Sequence, residues 1–165
     1  RNRLVDILHW CQMPNHFHLL LRQRVDNGIS LFMQKLGTSY TKYFNLKHNR
    51  SGRLFEGSFK AKHVETDEYF SHLAIYISLN PLELFYPKWK ESGLQQRQIK
   101  NAKQALLEYQ WSSFRDYFGQ SLIPGLISTE VFFEVFGHSA ADLEAIVDRF
   151  LSRGIPKDYE YSYEV

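Results

Sequence analysis

The chain has 165 residues, 44% apolar and 16% aromatic, which is enough for a core of its own and excludes a disordered segment. A single cysteine, Cys11, rules out a disulfide framework and points to a reducing compartment, and no apolar run approaches the ~18 residues of a membrane span. The net charge of +2 hides an asymmetry: residues 1–63 carry 11 Lys+Arg against 3 Asp+Glu, and residues 64–165 carry 9 against 15. A basic half beside an acidic half favours a polyanionic partner for the first.

Residues 3–12 and 15–24 are rich in Leu, Val, Ile and Phe and are broken at Pro14-Asn15. Proline removes a backbone donor and asparagine tolerates turn geometry, so an antiparallel hairpin is expected. Within its second strand, His16 and His18 alternate with Phe17, Leu19 and Leu21. Alternation puts both imidazoles on one face, where they can share one metal ion. Taken alone, His-x-His fits equally well two polar residues on the wetter face of a half-buried strand. After Asp26-Asn27-Gly28, the spacing of Ile29, Phe32, Leu36, Tyr40 and Tyr43 predicts a helix over 29–46, with Ser30 near its start.

Residues 47–57 form a basic loop with two glycines, and a strand is expected over 58–65. Thr66 should cap a helix that opens with Asp67 and Glu68 and stops at Pro81. Phe70, Leu73, Ala74 and Ile77 mark its core stripe, and Tyr76 and Asn80, four apart, lie one above the other on its flank. Tyr76 there fits a core aromatic as well as a reactive phenol. Beyond it come an irregular stretch over 82–96, a polar helix over 97–109, a helical turn over 111–118, a linker over 119–125, and helices over 129–136 and 139–152. This order of elements predicts an α+β fold, an antiparallel sheet with helices packed on it.

Three strings together resemble a known family. Met13-Pro14-Asn15-His16-Phe17-His18-Leu19 is similar to the signature of the HUH single-tyrosine transposases, above all the REP-associated tyrosine transposases of bacteria. Tyr76-x-x-x-Asn80-Pro81 resembles their second signature. Gly52-Arg53-Leu54-Phe55-Glu56-Gly57-Ser58-Phe59-Lys60 resembles a third, with Glu56 where glutamine is commoner. Trp111-Ser112-Ser113-Phe114 also matches a family string, for which a structural role is expected.

The resemblance implies a ferredoxin-like catalytic domain over 1–118, with one more strand and helix before Arg1, and a C-terminal helical extension over 119–165. It implies that Tyr76 is the nucleophile, that His16, His18 and Asn80 hold Mg²⁺ or Mn²⁺, and that single-stranded DNA bearing a hairpin is cut and rejoined through a phosphotyrosine. A phenol is a poor nucleophile near neutral pH, and a cation on the scissile phosphate is the usual remedy. Because the imidazoles must be neutral to bind metal, activity should fall as pH drops through the histidine range near 6.5. A non-cleaving hairpin-binding protein on the same fold is the alternative. Lys42, Lys47, Arg50, Arg53, Phe55, Phe59, Lys60 and Lys62 interleave cation and ring as phosphates and unstacked bases require, and are the expected DNA-binding set. His48, His63 and His72 have no partner spacing and are expected at the surface or in packing. Leu82-Glu83 departs from the Val-Arg commoner in the family, and loss of that basic residue is expected to weaken a DNA contact. The family further implies a monomer in a prokaryotic cytoplasm, associated with the nucleoid.

Overall fold

The computed structural model describes residues 3–155. Strands β1 (Val5–Gln12) and β2 (Phe17–Gln23) pair in an antiparallel hairpin, followed by helices α1 (Gly28–Lys47), α2 (Asp67–Leu79), α3 (Trp89–Ser92), α4 (Gln96–Glu108), α5 (Thr129–Phe136) and α6 (Ala140–Arg153). The fold is α+β, as the order of apolar runs predicts. Met13 N–H donates to the His16 carbonyl at 2.8 Å, which leaves Pro14-Asn15 as a two-residue turn.

The expected strand over 58–65 does not form; these residues carry no regular structure. Among them only Val64 is even partly buried. A strand needs a paired edge or a covered face, and this one has neither.

The chain divides into two compact units. The larger contains residues 7–20 and 64–155. Its β1 segment is enclosed: Leu8, His9 and Cys11 are fully buried. On the edge away from β2, Gln12 N–H donates to the Trp111 carbonyl and Ser113 N–H to the Trp10 carbonyl. Near its start, Ser128 N–H donates to the Ile7 carbonyl. α2 begins as its sequence predicts, with Thr66 Oγ1 accepting from Tyr69 N–H and with Asp67 and Glu68 in the first turn. Pro81 ends the α-helix at Leu79, but the chain then tightens into a 3₁₀ turn over Asn80–Leu84, with Pro81 in its first turn.

Phe70, Ala74 and Ile77 of α2 are buried as expected, while Leu73 sits at the core's edge. Ile75, Ser78 and Leu79 are buried as well, so α2 is enclosed on more than one face. The helices after Gly119 supply part of that cover. Phe132 and Phe136 of α5, and Leu143, Val147 and Leu151 of α6, share one core with α2 and with Ala102 and Leu106 of α4. The extension expected over 119–165 therefore has no separate core in its described part; residues 156–165 of it lie outside the described residues. Truncating Phe132, whose ring lies 4.2 Å from Tyr117 and 5.3 Å from Phe136, would cost about 3–5 kcal/mol.

The smaller unit contains residues 3–6 and 21–63. Its buried anchor is Asp6, which accepts from Arg22 Nε and Nη2 at 3.1 and 3.0 Å and from Arg24 Nη1 at 3.0 Å. Burial pushes this carboxyl up, but the two guanidiniums outweigh it and hold the group below the usual carboxylate range. α1 starts from Asn27 in the left-handed region (φ 56°), with no side-chain cap. Gly28 is required there, because any Cβ would collide with the Leu4 carbonyl oxygen.

Candidate active site

The hairpin turn and α2 bring the sequence-predicted residues of the larger unit together. His16 and His18 point the same way, and their Nε2 atoms converge to 3.1 Å, with ring centroids 4.9 Å apart. His18 in turn meets the ring of Tyr76 edge-on at 5.7 Å. Met13-Pro14-Asn15 does more than turn the chain. Asn15 Oδ1 lies 2.7 Å from His16 Nδ1, so a proton on Nδ1 donates to it and Nε2 is left with its lone pair. This carboxamide is the outer-shell partner that a metal-binding imidazole commonly has, and sequence reasoning assigned it only to the turn.

His18 is half-buried, and burial lowers its pKa to about 4; His16 and Lys90 push the same way and Glu83 opposes them. The acid limb expected near 6.5 therefore does not apply to this ring, which stays neutral and able to bind a cation well below that pH. Asn80, at the α2 terminus, is buried, and its Nδ2 has no hydrogen-bond partner. A half-turn of the carboxamide places Oδ1 where Nδ2 stands. An orphaned buried amide and two converging imidazole nitrogens are donor types that fit a divalent cation completed by substrate oxygens. Among the described residues, no three His, Cys, Asp or Glu side chains group as a closed metal site. The two histidines and the amide are the set to consider.

The 3₁₀ turn and α3 add two residues that sequence reasoning did not place at the site. Lys90 Nζ sits over the face of Tyr76, 4.7 Å from the ring centroid, and pairs with Glu83. The cation lies against the electron-rich face of the ring. Glu83 occupies the position where the sequence lacks the basic residue of the resembling family, and here it holds a lysine against the candidate nucleophile instead. No spacing rule predicts this contact, because Lys90 is fourteen positions from Tyr76 and its helix is only four residues long. Its placement comes from the C-terminus of α6: Ile155 N–H donates to the Lys90 carbonyl at 2.7 Å, and Leu94 N–H donates to the Leu151 carbonyl at 2.6 Å. Gly154 (φ +78°) lets the Lys90 carbonyl approach closer than any Cβ would permit.

His9 is a third histidine on the same hairpin, unremarked in the sequence. It is fully buried between Ser113 Oγ at its Nδ1 and Ser78 Oγ, 2.8 Å from its Nε2. Ser113 also accepts from Trp10 N–H at 2.9 Å, and the Tyr117 hydroxyl donates to the Leu8 carbonyl. This is the structural role expected for Trp111-Ser112-Ser113-Phe114. Burial lowers His9 to about 3, with His18 adding a little.

The expected DNA-binding set lies in the smaller unit. Lys42 and Lys47 are exposed on α1, and Arg50, Arg53, Phe55, Phe59, Lys60 and Lys62 are exposed on the segment after it. Asn45 Nδ2 donates to the Gly52 carbonyl and Arg50 N–H to the Asn45 carbonyl, which fold the loop back on the end of α1. His48 stacks on Phe44 at 4.3 Å and His63 is exposed. His72 is half-buried, with its pKa lowered by that burial against the pull of Glu68.

The fold class is α+β, and its polar centre joins a paired-histidine hairpin to a helix-borne tyrosine. Residues 1–80 match the family described as "Transposase IS200 like", and His16, His18, Tyr76 and Asn80 all fall inside that span. The match is a likeness to transposases over 80 of the 165 residues. No curated protein and no solved structure matches the chain. Among the described residues, no helix is long and apolar enough to cross a membrane.

Proposed function

We propose that the protein is a metal-dependent strand transferase of the REP-associated tyrosine transposase type, cutting and rejoining single-stranded DNA beside a hairpin. The observation that carries this reading is the contact chain from the converging His16 and His18 nitrogens to the Tyr76 ring. His16, His18 and Asn80 would hold Mg²⁺ or Mn²⁺; when bound, the ion supplies charge withdrawal and orientation at the scissile phosphate.

Tyr76 Oη attacks the phosphorus, the Oη–P bond forms, and the phosphodiester oxygen opposite leaves and takes up a proton. The phosphotyrosine keeps the ester, so attack by a strand-end hydroxyl reverses the step and rejoins DNA without an external energy source. Lys90 stabilises the negative charge on the phenol as it deprotonates. Asn15 holds His16 in the tautomer that leaves Nε2 open. Lys42, Lys47, Arg50, Arg53, Phe55, Phe59, Lys60 and Lys62 supply strand binding by charge and exposed rings.

The test is incubation with hairpin-bearing single-stranded oligonucleotides and Mn²⁺, followed by a denaturing gel. Wild type should give a covalent protein–DNA adduct. Tyr76→Phe removes only the attacking oxygen and should lower adduct formation by at least about a thousandfold while hairpin affinity holds. Adduct formation by Tyr76→Phe at the wild-type rate would reject the assignment. Hairpin binding by wild type with no adduct under any divalent ion would establish the non-cleaving alternative.

A further inference from the structure

The exposed face of α1 has a chemistry that charge alone does not explain. α1 runs for 20 residues, and Gly28 is its only fully buried one. Leu36, Tyr40, Tyr43 and Lys47 recur at helical spacing, so they share a face. Tyr40 and Tyr43 are 41% and 56% exposed, and Phe55, 39% exposed, leans against Tyr40 at 6.2 Å. The rings of Tyr40 and Tyr43 are 6.4 Å apart and tilted by only 35°, so they form a shallow shelf open to water. Phe44 beneath it is engaged by His48 at 4.3 Å and Arg50 at 5.7 Å. Lys47 stands over Tyr43 at 5.6 Å.

Bare aromatic area on a helix invites a partner. The charge of this segment decides which. Residues 28–63 contain seven Lys and Arg, and Glu56 is the only acid among them. A second copy of this face would bring like charge against like charge. An unpaired DNA strand offers what the face lacks, phosphates for the cations and flat π surfaces for the rings.

We propose that Tyr40, Tyr43 and Phe55 form a stacking platform for unpaired bases, with Lys47 and Arg50 at its end taking the flanking phosphates. The proposal rests on the nucleic-acid reading above and names the part of the ligand that α1 reads: the bases of a single strand. Phe44, with both neighbours in place, supports the shelf.

The experiment measures anisotropy of two labelled 20-nucleotide strands, one oligo-dT and one abasic throughout, with the whole protein and chelator present so that nothing is cut. Wild type should bind oligo-dT about tenfold or more tighter than the abasic strand. Tyr40→Leu/Tyr43→Leu should weaken oligo-dT binding by about tenfold or more, leave the abasic strand unchanged, and leave the salt slope of both unchanged. These rings are exposed, so the double variant keeps its circular dichroism and melting temperature. Equal affinity of wild type for the two strands overturns the platform and leaves a phosphate-only DNA surface standing. Equal weakening on both strands in the double variant also overturns it. Absence of binding to either strand overturns the platform and the nucleic-acid reading together. Sedimentation showing a wild-type dimer that the double variant loses would assign the face to a second copy, and the platform would be wrong.

Discussion

Two polar clusters share one hairpin and are built in opposite ways. On β1, His9 has a serine hydroxyl at each ring nitrogen and no exposure. At the turn and on β2, His16 and His18 have nitrogens directed at each other, with exposure and with no carboxylate between them. A buried polar group that is fully satisfied stabilises and specifies a core. At 3.1 Å one Nε2 donates to the other only when its own ring carries the proton there, whereas a cation would engage both lone pairs at once. Saturation marks His9 as structure, and convergence on a more open face is what the proposed metal-binding role of the other pair requires.

Removing the proposed ligands should break this comparison most clearly. His16→Ala or His18→Ala should lower metal-dependent adduct formation by at least about a thousandfold, more than loss of an outer-shell partner alone. Hairpin affinity and melting temperature should stay near wild type, because the open cluster does little for the fold. Gel assays across a Mn²⁺ titration check the first part, and thermal melts check the second. Wild-type cleavage indifferent to chelator would make the pair structural after all.

The opposite pattern is expected at His9. His9→Ala should destabilise the fold by about 2–4 kcal/mol, since it leaves a cavity and strands the Ser78 and Ser113 hydroxyls. Acid should do the same to wild type. The unfolded chain protonates His9 near 6.5, while the folded protein holds it neutral to about 3. Between those values the unfolded state binds the extra proton, so this stability is complete above 6.5 and drains away as pH falls toward 3. At about 1.4 kcal/mol per unit, roughly 4 kcal/mol is gone near pH 3.5. His18, also held low, adds a slope of the same sign. Urea midpoints against pH should therefore be flatter in His9→Asn than in wild type. Equal slopes would show that His9 is not the group responsible.

The sequence carried the local rules well and the long-range ones poorly. The hairpin, α1, α2, α4, α5 and α6 follow from alternation, helical spacing, the Thr66 cap and Pro81, all of which act over a few residues, whereas α3 (Trp89–Ser92) falls in the stretch over 82–96 expected to be irregular. The strand over 58–65 failed because a strand is completed by an edge elsewhere, which local composition does not encode. The site divides the same way. His16 with His18, and Tyr76 with Asn80, are legible because strand and helix periodicity places each pair on one face. The partnership of His9 with Ser78 and Ser113 spans 69 and 104 positions and leaves no periodic trace. Lys90 reaches Tyr76 only because α6 grips α3 through Gly154 and Ile155.

That grip gives the smallest effect and the finest test of the open cluster. A cation above an aromatic ring in a partly buried setting contributes about 1 kcal/mol, so Lys90→Gln should slow adduct formation by about fivefold. The alkaline limb of the pH–rate profile should move upward, because phenolate loses a stabilising charge that phenol does not need. Lys90→Arg keeps the cation and should recover most of the rate, whereas a purely packing role would be met better by glutamine than by the bulkier arginine. A fivefold loss in Lys90→Gln with an unmoved alkaline limb would show that Lys90 positions the ring without acting on its charge. In either case the C-terminal helices, outside the matched span of residues 1–80, reach Tyr76 through Lys90.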